Sequence, residues 1–108
     1  MKRNTVKQSE TFRRSYRFRN AQTKEVLDLT GCTAYSQMRT GENELIADAD
    51  CSIDTTLGRV TALWTSEKTA DIPVGTYFFD VWLKCGDEQK PFTTEQVDII
   101  NPITVIGE

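Results

Sequence analysis

Five carboxylates crowd into residues 42–54, namely Glu42, Glu44, Asp48, Asp50 and Asp54, and oxygen donors at that density are the raw material of a calcium site. The glycine and the ligand spacing of an EF-hand loop are missing, so these read as solvated loop carboxylates and no metal is expected. Asp80 lies mid-strand among aromatics, where a raised pKa could make an acid catalyst. The sequence places no second carboxylate opposite it, so a structural or exposed Asp is the expectation. The chain has no histidine, which excludes Cys-His and Ser-His-Asp nucleophile systems. Its glycines, such as Gly31, Gly58 and Gly86, are scattered singly, so no backbone loop cradles a phosphate. Cys32, Cys51 and Cys85 are an odd set without CxxC spacing, which argues against a disulfide framework and a zinc site. Reduced, mostly buried thiols are expected, and neither enzyme activity nor a cofactor.

Charge is the next feature that could do work. Residues 1–24 hold eight basic residues against Glu10 alone, a charge of +7, and the remainder holds five basic against fifteen acidic residues, −10. Such polarity suits nucleic acid, or contact between copies or with a differently charged partner. Arg13, Arg17 and Arg19 interleave with Phe12, Tyr16 and Phe18, which superficially resembles a surface of cations and stacking rings. Strand alternation separates the two sets onto opposite faces, and rings in a core cannot stack on bases. Nucleic-acid binding therefore survives as an alternative, carried by the basic arm and the arginine row.

These residues need elements to hold them, and the chain reads as strands throughout. At 108 residues it suits one domain with a single core. Residues 1–9 are polar and charged and are expected as a flexible basic arm, with the folded domain over 10–108. No apolar run approaches the ~20 residues of a membrane span, and the polar start has no signal-peptide segment, so a soluble product made in the cytoplasm is expected. From Thr11, alternation predicts a half-buried strand in which Arg14 breaks the apolar parity, at a strand end, at a bulge or paired with a carboxylate. A polar turn over Asn20–Glu25 follows, then the Asp28-Leu29-Thr30-Gly31 turn and a strand over Cys32–Arg39 with Ala34, Ser36 and Met38 inward. Thr40–Asn43 reads as a hairpin connector, followed by the apolar patch Leu45–Ala47. Cys51–Asp54 and Arg59–Thr65 form a further hairpin with Ile53, Val60, Ala62 and Trp64 inward. Ser66–Asp71 has room for one helical turn at most, Gly86–Gln89 is a turn, Phe92–Ile100 a strand with Val97 and Ile99 inside, and Ile103–Ile106 a last short strand.

Between these lies Gly75–Gly86, a strand apolar on both faces. Tyr77, Phe79, Val81 and Leu83 form the better core face. Phe78 and Trp82 fall on the other, where they need cover from a loop, a second layer or a partner. Seven to eight short, mostly antiparallel strands with turn signals every eight to twelve residues predict an all-β sandwich.

The ordered set Asp28-Leu29-Thr30-Gly31, Thr33-Ala34-Tyr35-Ser36-Gln37-Met38-Arg39, Gly58-Arg59-Val60-Thr61, Glu67-Lys68-Thr69-Ala70 and Gly75-Thr76-Tyr77-Phe78-Phe79-Asp80-Val81 resembles a group of small phage and prophage structural domains. It is similar to the N-terminal domain of the siphophage baseplate upper protein, over roughly Glu10 to Val105. The resemblance implies an immunoglobulin-like β-sandwich that builds part of a virion, in a tail, baseplate, neck or fibre attachment, without catalysis. Its partners would be other virion proteins and copies of itself, met first in the bacterial host cytoplasm and then in the particle, with no membrane. In such an assembly Arg13, Arg17 and Arg19, with the arm Lys2 to Lys7, are expected to dock on an acidic patch of a neighbouring subunit or another virion protein, and Phe78 and Trp82 to supply the apolar anchor. A rival reading is a carbohydrate or host-surface recognition domain, in which Trp82 and Tyr35 stack on sugars.

Overall fold

The computed structural model describes residues 1–19, 22–92 and 94–107. Nine strands and one short helix follow in the order β1 (Arg3–Lys7), β2 (Phe12–Arg17), β3 (Cys32–Thr40), β4 (Leu45–Asp48), β5 (Asp50–Asp54), β6 (Arg59–Trp64), α1 (Ser66–Ala70), β7 (Gly75–Cys85), β8 (Glu88–Pro91) and β9 (Glu95–Ile100). One sheet runs β1-β9-β7-β3-β4 with β8 also paired to β7, and the other runs β2-β6-β5. This division of strands between two layers is that of an all-β sandwich. All pairings between named strands are antiparallel except β1 with β9.

Alternation decides which side chains fill the space between the layers. Met38 from β3, Val60, Ala62 and Trp64 from β6, Phe79 and Val81 from β7, and Val97 and Ile99 from β9 are all 2 % exposed or less. Three rings meet in the space between the layers. Trp64 lies 5.4 Å from Phe12 and 5.1 Å from Phe79, and Phe12 meets Phe79 edge-on at 5.6 Å. At the start of β7, the Tyr77 hydroxyl donates to the Pro73 carbonyl at 2.6 Å, tying the entry of the strand to the turn before it.

The turns have local causes. The Asp28 carboxylate accepts from the Thr30 N–H at 3.0 Å, which holds the turn so that Leu29 plugs the end of the core at 4 % exposure. Gly58 ends the β5–β6 connection at φ +58°, where an added Cβ would sit 2.5 Å from Val26 Cγ1. The Thr65 hydroxyl caps α1 by accepting from the Lys68 N–H, and the hydroxyl of buried Thr69 donates to the Glu10 carbonyl at 2.8 Å.

Several expectations are corrected. Strands number nine among the described residues rather than seven or eight, because two short edge strands carry little apolar signal. Residues 1–9 are not a free arm: β1 lies parallel to β9, with Val6 buried at 2 % and the Gln8 side-chain amide donating to the Ile72 carbonyl at 2.8 Å. Glu88–Pro91, wholly exposed and read in part as a turn, pairs with β7 as β8. Ile103–Ile106 forms no strand and leaves Ile103 and Ile106 almost fully exposed. The predicted turn at Asn20–Glu25 includes Asn20 and Ala21, and the predicted late strand includes Thr93, all outside the described residues.

Cys32 and Cys85 are not free thiols. They face each other across the β3–β7 ladder with Cα atoms 4.3 Å apart and form a disulfide, leaving Cys51 free. The bond closes a 53-residue separation, for which the chain-entropy argument gives about 4 kcal/mol of stabilisation. Cys32→Ser/Cys85→Ser is therefore expected to lower the urea midpoint, and reductant should lower that of the wild type but not of the variant. Equal midpoints with and without reductant would contradict a stabilising bond.

Candidate functional site

The outward face of the larger sheet carries the aromatics that the core does not take. On β3 and β7 the register sets Tyr35 directly opposite Trp82, Gln37 opposite Asp80 and Arg39 opposite Phe78. Tyr35 is 53 % exposed and Trp82 39 %. Phe78 is half-buried, with its ring against the Gly41 turn of the β3–β4 hairpin. Part of the cover it needed thus comes from its own chain, whereas Tyr35 and Trp82 remain open. Arg39 is held flat across this face: its guanidinium donates to the Gln37 side-chain oxygen at 2.6 Å and to the Asn43 carbonyl at 2.9 Å. Together these residues line an open groove of about 400 Å³. Its composition of tyrosine, tryptophan and a fixed arginine is that of protein interface centres.

The arginine row lies elsewhere. Arg13 and Arg17 project outward from β2, on the outer face of the three-stranded sheet, and Arg19 follows in an isolated bridge to Val26. The five residues expected to act together therefore divide between opposite faces of the sandwich. The rings between the arginines turn inward, as alternation required: Tyr16 stacks on Phe92 at 5.1 Å and Phe18 meets Phe92 edge-on at 4.1 Å. They are not available to bases.

A third cluster escaped the sequence reading. Glu95, the first residue of β9, is 4 % exposed and collects bonds from two other strands. Arg14 binds it with both ends of its fork, Nε to Oε1 at 2.9 Å and a terminal nitrogen to Oε2 at 3.1 Å. The Tyr16 hydroxyl donates to Oε2, and the Asn4 amide donates to Oε1 at 3.0 Å. Burial alone would push the Glu95 carboxyl up, yet the bonds from Arg14, Tyr16 and Asn4 outweigh it and hold it below the ordinary carboxylate value. Burial, then the bond to Glu95, raises the Tyr16 phenol well above its usual value. This knot joins β1, β2 and β9 across the two layers, and each partner is satisfied. It is a structural clasp, and it identifies the carboxylate partner that Arg14 needed. The signal was present: Arg14 shares parity with Phe12 and Tyr16, and Glu95 with Val97 and Ile99, so two opposite charges stood on core-facing positions.

The acidic residues of 42–54 are dispersed. The Asp54 carboxylate caps its own turn through the Thr56 and Leu57 N–H groups at 3.0 and 3.2 Å, and Asp50 pairs with Lys68 at 3.2 Å. Among the described residues no group of three or more His, Cys, Asp or Glu side chains is placed to hold a metal ion, and no helix is long and apolar enough to cross a membrane. No family model and no curated protein matches the chain.

Proposed function

We propose that this chain is a non-catalytic structural or adaptor protein of a phage or prophage particle, acting by protein–protein assembly. The observation that carries the reading is the open Tyr35–Trp82 pair on a flat sheet face, bordered by the fixed Arg39. Such a face binds best to another folded surface: the two rings supply rigid apolar area, and Arg39 and Asp80 set the orientation. The resemblance over Glu10 to Val105 supplies the setting, a tail, baseplate, neck or fibre attachment. The Cys32–Cys85 disulfide fits a chain that is made in the host cytoplasm and ends in a particle outside it, since such bonds persist on virion surfaces and are rare in the reducing cytoplasm.

Particles induced from a lysogen carrying this gene and banded on a density gradient should contain the chain in fixed stoichiometry. Tyr35→Ala/Trp82→Ala, with an unchanged melting temperature, should be missing from the band, because losing two interface anchors costs about 2 kcal/mol or more each, on the order of a thousandfold in affinity together. Equal incorporation of the variant, or a wild-type chain found only in the soluble lysate, would overturn the reading.

A further inference from the structure

The three-stranded sheet carries a charge pattern that runs across its strands. On its outward face the register aligns Arg13 on β2 with Leu63 on β6 and Asp50 on β5. The next outward row is Ser15, Thr61 and Ser52, and the third is Arg17, Arg59 and Asp54. The rows thus begin on β2 with cation, hydroxyl, cation and end on β5 with anion, hydroxyl, anion. β2 and β5 are each antiparallel to β6 and so parallel to each other. Arg13 and Arg17 are about 13 Å apart along β2, and Asp50 and Asp54 repeat that spacing along β5.

The second layer shares the polarity. β1, the neighbouring edge of the larger sheet, exposes Arg3 and Lys7, whereas β4, joined to β5 through Ala49 alone, exposes Asp48. One lateral side of the sandwich is therefore basic, and the other is acidic apart from Lys68, which pairs with Asp50. Among the described residues no ion pair engages Arg13 or Arg17, and the like-charged Arg59 beside Arg17 favours an outside carboxylate. Asp50 and Asp54 each use Oδ1 within the chain and are exposed.

We infer that copies of this chain associate head to tail, the β2 edge of one against the β5 edge of the next, with Arg13 meeting Asp50 and Arg17 meeting Asp54. A sideways translation brings these groups into register without rotation, because the two strands run in the same direction. Twofold joins are disfavoured, since β2 against β2 sets arginine on arginine and β5 against β5 sets aspartate on aspartate. A heterologous contact of this kind closes into a ring or extends as a filament according to the rotation between neighbours. The contact uses a different surface from the Tyr35–Trp82 face, so either can fail alone.

Sedimentation velocity on the full chain tests it. The wild type should gain mass with concentration at low salt, and its association constant should fall by about tenfold or more at high salt, as screened pairs do. Arg13→Glu/Arg17→Glu has two acidic edges and Asp50→Lys/Asp54→Lys two basic ones, so each alone should stay monomeric, the first with an unchanged melting temperature and the second with a somewhat lower one, since it gives up the Asp54 turn cap and the Asp50–Lys68 pair. Mixing the two should restore association, because every edge then finds its opposite. A wild type that stays monomeric at all concentrations at low salt, variants that associate as the wild type does, or a mixture that remains monomeric would each overturn the inference. Should either reversal be unfolded at the temperature of the run, the wild-type salt series and Arg13→Gln/Arg17→Gln, expected to be monomeric, decide in its place.

Discussion

Arg14→Ala should lose about 3–5 kcal/mol of stability at neutral pH, the cost of leaving a buried carboxylate without its partner. Glu95 is 4 % exposed, and removing Arg14 takes away two of its bonds and its countercharge together. The pH dependence distinguishes this from lost packing. The folded carboxyl lies below its unfolded value, so its contribution is fully present above the unfolded pKa and disappears as pH falls through the folded one. The wild type should therefore lose stability on acidification through and below the ordinary carboxylate range. Arg14→Ala, whose Glu95 protonates more readily, should lose less, and the gap between the two should narrow as pH drops. Urea midpoints across that range measure both curves, and a gap independent of pH would rule out the ion pair as the cause.

Trp64→Ala is expected to cost about 3–5 kcal/mol, independent of pH. Trp64 is fully buried, packs against Phe12 and Phe79, and donates its indole N–H to the Ala47 carbonyl at 3.3 Å. Truncation removes the ring through which the two layers grip each other and opens a cavity that strands on both sides are too constrained to fill. Trp64→Phe keeps most of the apolar volume and should cost less than half as much. For a domain whose whole stability is on the order of 5–15 kcal/mol, Trp64→Ala combined with Arg14→Ala should not fold at 37 °C. Thermal melts of the three variants test the ranking, and a Trp64→Ala protein melting with the wild type would mean that this ring is not the centre of the core.

Most of the sandwich was legible because period-two alternation survives wherever one face is buried. Tyr77, Phe79, Val81 and Leu83 went inward as the pattern required, as did Val60, Ala62 and Trp64. What alternation could not reveal was pairing that depends on backbone rather than on apolar side chains. β1 offers one buried apolar residue, Val6, and β8 offers none, so composition read the first as an arm and the second as a turn. The cysteines failed for another reason: spacing along the chain says nothing of Cys32 and Cys85 meeting across a ladder. In the candidate site, the outward placement of Trp82 was readable, whereas its neighbour across the ladder, Tyr35, and the separation of the arginines onto the other sheet depended on topology.

The parallel pairing of β1 with β9 has a mechanical meaning. Arg3 to Lys7 and Gln96 to Ile100 run side by side in one direction, so the chain enters this pair at one end of the domain and leaves it at the other. Tension applied between the flanking segments would load the rungs of that ladder together, in shear, instead of peeling them off singly. The clasp of Asn4 and Arg14 on Glu95 ties the same corner to the second layer and shares the load. Pulling the fold along its length therefore meets these rungs together with the clasp beside them.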